Sequence, residues 1–198
     1  MIDLWPLSAK FFQELLRIDG QAVSEAQRSG CRHCQGRLDR ADYPRKVRGL
    51  PAGVEEHFGK RFSLCCCRDG CRKRLTPASV RFLGRRVYAG ALVLVASMVC
   101  LLVGKPEPLF GVPALTIGRW STWWRSALRQ TAFWKVARVR LLPAVDEALL
   151  PTSLLERFST GDRPSARGDP EPICEQALLS ALSFLRPVTT SSGLPMAR

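Results

Sequence analysis

Two short clusters of cysteine set the tightest constraint on what this chain can fold into. Cys31-Arg-His-Cys34 is a C-x2-C pair followed by Gly36, and about thirty residues later comes Cys65-Cys66-Cys67-Arg-Asp-Gly-Cys71. Two close pairs on tight turns can place four thiolates tetrahedrally around one ion, and zinc is the metal that takes such a set. The second half is irregular: Cys67–Cys71 is C-x3-C and Cys66–Cys71 is C-x4-C. If residues 61–66 form a strand, Phe62, Leu64 and Cys66 share one face, which favours Cys66 as ligand with Cys67 as its substitute. The expected site is therefore Cys31, Cys34, Cys66 and Cys71 around a structural Zn2+. Gly36 and Gly70 are expected to let the backbone bend around the ion. His33 and His57 could stand in as ligands but are expected to be solvated. Cys100 and Cys174 lie on apolar stretches and read as core thiols.

Other uses of cysteine fit less well. Disulfides belong to secreted chains, and residues 1–17 carry Asp3, Lys10 and Glu14 without a sustained apolar core, so no secretory signal is expected. A redox C-x-x-C needs a strand before it and a helix after, whereas Cys31 follows a predicted helix. A cysteine nucleophile paired with His33 or His57 is the enzymatic alternative. A shell of four thiolates leaves no open coordination position, so a non-catalytic, cytoplasmic protein is expected.

Charge says what such a site would present. The 198 residues hold 30 Lys+Arg against 17 Asp+Glu, a net +13. Residues 28–86 alone carry sixteen bases and five acids, net +11. Arginine, whose planar fork suits phosphate oxygens, supplies 24 of the bases. The clustering calls for a polyanionic partner and is not explained by a solvated face of mixed sign. The expected phosphate contacts are Arg45, Lys46, Arg48, Arg61, Arg72, Lys73 and Arg74, with Arg37, Arg40, Lys60 and Arg68 in the same basic set. Tyr43 and Phe62 are available to pack or stack. DNA is the expected partner, with RNA as the alternative.

The fold class expected is mainly α with a small β zinc ribbon. Residues 1–30 form N-terminal helices, 31–75 the ribbon, 76–158 a helical domain, and 159–198 a linker and loose tail. In detail, 4–17 and 21–28 read as two helices, the second capped by Asp19 and ended by Gly30. Thr76-Pro77 reads as the start of a helix running through Val80, Leu83 and Val87. Residues 87–104 are eighteen residues without a charge; a buried helix is expected, with a membrane span that would make a tethered basic adaptor as the alternative. Residues 114–142 and 145–158, interrupted at Pro151, read as helical, as do 173–185. The tryptophans between 120 and 134 read as core more than as a stacking platform for single strands.

Residues 109–128 carry the turn and second helix of a helix-turn-helix, with Gly111 in the turn, Val112, Ile117 and Trp120 buried, and 104–110 as the preceding helix. Pro113, Ala114, Leu115 and Gly118 offer no donors to base edges, so Arg119 alone is suited to guanine.

With these residues in place, the chain resembles the zinc-ribbon and helix-turn-helix regions that accompany bacterial insertion-sequence transposases. The resemblance rests on Cys31-x2-Cys34, Arg61-Phe-Ser-Leu-Cys-Cys with Cys71-Arg-Lys-Arg-Leu-Thr-Pro, and Gly111-Val with Thr116-Ile-Gly-Arg-Trp. It covers roughly 31–78 and 109–125. It implies recognition of transposon-end DNA beside a transposase. The cysteine triplet and the donor-poor helix depart from the family pattern. The acids beyond the ribbon (Glu107, Asp146, Glu147, Glu156, Asp162, Asp169, Glu171 and Glu175) have no alternating strands to carry a nuclease triad, so the likeness is to a recognition module.

Overall fold

The computed structural model describes residues 7–48, 50, 54, 58–83, 88–106, 108–109, 111–159 and 174–189. Helix α1 (Ala9–Ser29) leads into a small β region: β1 (Leu38–Arg40), β2 (Tyr43–Pro44), β3 (Lys60–Arg61), β4 (Leu64–Cys66) and β5 (Arg74–Leu75). A helical body follows, formed by α2 (Gly90–Val103), α3 (Ala114–Arg125), α4 (Ala127–Gln130), α5 (Ala132–Ala137), α6 (Thr152–Ser159) and α7 (Glu175–Leu185). The protein is mainly helical with small antiparallel sheets. Of the expected linker and tail at 159–198, residues 160–173 and 190–198 lie outside the described residues, as do His57 and 84–87, while 174–189 hold α7 and a 3-10 turn.

The N-terminal helices are one helix. Ser8 caps it, its Oγ accepting from the Phe11 N–H at 3.2 Å, and its own backbone N–H donates to Glu175 at the start of α7. Gly30 (φ 72°) ends it as expected; the left-handed backbone there suits glycine. Asp19 is no cap. It lies mid-helix, 2% exposed, and reaches a segment some sixty residues away. Its carboxylate accepts from the Arg81 Nε at 2.7 Å, the Ser79 hydroxyl at 2.5 Å and the Val80 N–H at 2.8 Å. Arg81 is fully buried and stacks over Phe62 (4.2 Å) while donating to the Phe58 carbonyl. Burial disfavours its charge, and Asp19 opposes that.

This contact explains why residues 76–83 are not the helix that Thr76-Pro77 suggests. The Val80 N–H is spent on Asp19 and the Arg81 carbonyl accepts from Gly90, so helix α2 starts only at Gly90. Tertiary partners override a local cap signal. Val80 and Leu83 are still buried, at bends in the chain.

Helix α2 is the apolar run, and it is a core element. Leu92, Val93, Leu94 and Ala96 are fully buried in the main core, where the helix packs on α3 and α7. Its fourteen residues span about 21 Å, short of the roughly 30 Å hydrocarbon thickness. Among the described residues no helix is long and apolar enough to cross a membrane. Trp120, Trp124 and Trp134 are core side chains, as expected. The stretch 114–142 is three short helices and a 3-10 turn, broken at Ser126 and Thr131.

Candidate metal centre

Strand pairing assembles the centre. β4 lies between β1 and β5, both antiparallel to it, with Leu38 opposite Cys66 and Cys65 opposite Arg74. Alternation along β4 buries Leu64 and Cys66 and turns Cys65 to the other face. Cys66 thereby joins a small second core with Val23 of α1, Cys31, Leu38 and Leu64.

The sulfurs of Cys31, Cys34, Cys66 and Cys71 all lie within 4.8 Å of one another, close enough to share a metal ion. Cys31 and Cys71 are 3.7 Å apart and Cys34 and Cys66 3.4 Å, too far for disulfides. This is the expected set, with Cys66 and not Cys67 in the triplet. Cys65 points its thiol at the Arg72 carbonyl (3.6 Å). His33 is exposed and outside the cluster. Cys100 is buried as expected, whereas Cys174, expected in the core, is exposed at the residue before α7.

Each cysteine pair sits on a knuckle-like bend. The Gln35 N–H donates to the Cys31 carbonyl at 2.8 Å and the Cys31 N–H to Gly36 O at 2.9 Å; at the second pair the Cys71 and Arg72 N–H groups both donate to Arg68 O. The residue after each closing cysteine has a left-handed backbone, Gln35 at φ 57° and Arg72 at φ 46°. The strained positions are therefore these two, and not Gly70, whose added Cβ would meet open space. Gly36 is buried beneath the Arg68 side chain, which joins the two bends.

The thiols influence one another strongly. The backbone N–H of His33 draws Cys31 down to about 7, with burial opposing and the Cys34 N–H and the Cys71 and Cys34 thiols assisting. Cys66 is pushed up to about 12: the Arg68 N–H lowers it, but burial and the thiols of Cys34, Cys71 and Cys31 raise it further. Cys71 is likewise raised, the Lys73 N–H pulling down against burial and the Cys34 and Cys31 thiols. Cys31 yields its thiolate easily while Cys66 and Cys71 resist, because like charges would share one small space. A cation removes that resistance. A cation also suits the C-terminal end of α1, just before Cys31, where the helix dipole is negative.

Around the centre, Arg32, Arg68, Arg72, Lys73 and Arg74 are exposed, as are Lys46, Arg48 and Lys60. Arg61 belongs elsewhere. It is 3% exposed and its guanidinium donates to the Pro77 carbonyl at 2.7 Å, so it is a structural residue and not a surface contact. Arg45 is half-buried against Phe82. Arg37 and Arg40 pair with Asp39 and Asp42. The faces of Phe62 and Tyr43 are met by Arg40, Arg81 and Arg74 of the same chain.

At 109–128 the expected burial of Val112, Ile117 and Trp120 holds. The helix before α3, however, is α2 and not 104–110, and ten residues separate them where a helix-turn-helix takes three or four. Arg119 is exposed on α3, beside a groove against α2. Sequence reasoning missed Asp19 and Arg81, whose pairing no local pattern signals. Comparisons with protein-family models, curated proteins and solved structures return no match.

Proposed function

We propose that this protein is a non-catalytic nucleic-acid-binding protein, DNA being the favoured polyanion, whose basic face is shaped by a structural Zn2+. The observation that carries the reading is the gathering of Cys31, Cys34, Cys66 and Cys71 beneath Arg68, Arg72, Lys73 and Arg74. Four sulfurs at 2.3 Å from a tetrahedral zinc lie about 3.8 Å apart, and the separations of 3.7 and 3.4 Å fall just below that value. Thiolate donors select zinc over magnesium or calcium, and four of them leave no position for an activated water. The ion then does the work of a core: the sulfur cluster holds together strands of two or three residues that could not stand alone.

Phosphate recognition follows from the exposed bases, which neutralise charge and release counterions without reading sequence. The test is a salt titration of duplex binding by the full chain, followed by fluorescence anisotropy. Replacing Arg72, Lys73 and Arg74 together by Gln should flatten the slope of log K against log salt by about 2–3. No salt-dependent binding by the wild type, or a triple variant with an unaltered slope, would overturn the reading.

A further inference from the structure

Between α2 and α3 runs a groove of about 1020 Å3, walled by Leu101, Leu115, Trp123 and Leu150. That is the upper end of the range for small-molecule sites. Leu115 is 68% exposed, an apolar side chain left facing solvent on the groove wall. Gly118 occupies the middle of α3, where glycine costs about 1 kcal/mol against alanine. No close approach requires it: an added Cβ would meet Pro106 only at ordinary contact distance, 3.5 Å.

Among the described residues the groove is also one-signed. Among its described lining residues the only charged ones are Arg119 and Arg125. Arg119 makes no hydrogen bond or ion pair among the described residues, and Arg125 only donates Nε to the Ser121 carbonyl. By contrast, Arg129 and Arg138, further along the same run, both pair with Glu147. A mainly apolar groove lined by two guanidiniums with no acidic partner among the described residues calls for a ligand that is apolar along its length and anionic at one end.

We propose that this groove binds a single-chain anionic amphiphile of the fatty-acid class, its acyl chain along the channel and its carboxylate on Arg119 and Arg125. The inference is independent of the metal centre and of nucleic-acid binding.

Trp120 and Trp123 line the groove and provide the readout. Titration of the full chain with 12-bromododecanoic acid should quench tryptophan fluorescence saturably, and the methyl ester of the same acid should bind at least tenfold more weakly. The double change Arg119→Gln and Arg125→Gln, at exposed positions, should abolish that preference for the acid. Gly118→Leu, which fills the channel while favouring the helix, should remove saturable quenching by both ligands. Equal affinity for acid and ester in the wild type would overturn the proposal. So would saturable quenching that survives Gly118→Leu, or none in the wild type. Should Gly118→Leu lose its helical circular dichroism, the arginine pair alone decides.

Discussion

Asp19 serves three donors with one carboxylate, and through them it fastens α1 to the chain between the β region and the helical body. Removing it would leave the Arg81 guanidinium buried without its counter-charge, the costly way to break such a pair. Asp19→Ala should lower stability by about 3–5 kcal/mol in urea denaturation. A loss below about 1 kcal/mol, the worth of an exposed pair, would show that the contact holds nothing. The same residue shows where sequence reading stops. An aspartate ahead of a helical stretch is a sound capping signal, and only partners sixty residues on reveal the other use. Cys66 is the opposite case: strand alternation singled it out from three adjacent cysteines, because a period of two is a local property. The left-handed backbone at Gln35 and Arg72 was not legible, since neither residue type announces it.

Elements fared unequally for a related reason. Helix α2 was legible because its sequence is apolar on every side, which a buried position demands. The long helix expected over 114–142 was not, because it is divided at Ser126 and at Thr131, whose hydroxyl caps the next helix by accepting from the Trp134 N–H. Glu147, in a 3-10 turn, accepts from Arg138 (2.8 Å), the Trp134 indole (3.0 Å) and Arg129 (2.7 Å), clamping α4 and α5 across the turn. The Arg138 guanidinium, followed by the Trp134 and Arg129 donors, holds its carboxyl down at about 2. A carboxyl lowered in the folded state stabilises above its unfolded value, near 4.5, and that contribution disappears as pH falls toward 2. Glu147→Gln should therefore remove part of the stability difference between pH 6 and pH 3 in thermal melts, at a cost of about 1–2 kcal/mol at pH 6. An identical pH dependence in wild type and variant would contradict the clamp.

The molecule as a whole has two cores of unequal kind, bridged by α1. Phe11, Phe12 and Leu15 of that helix enter the large apolar core, while Val23 reaches the small one built around the sulfurs. The large core can sustain itself by burial. The small one is too slight to do so, which is why its cysteines, and not its hydrophobic pattern, were the readable feature of residues 31–75. The division of charge follows the same line, with the bases concentrated around the sulfur cluster. The deciding measurement is the zinc-to-protein ratio of the purified full chain, determined by inductively coupled plasma mass spectrometry beside the variants Cys66→Ser and Cys67→Ser. One zinc per chain is expected in the wild type and in Cys67→Ser, and none in Cys66→Ser. A wild type without metal, or a Cys67→Ser variant as depleted as Cys66→Ser, would contradict the four-sulfur centre and the function built on it.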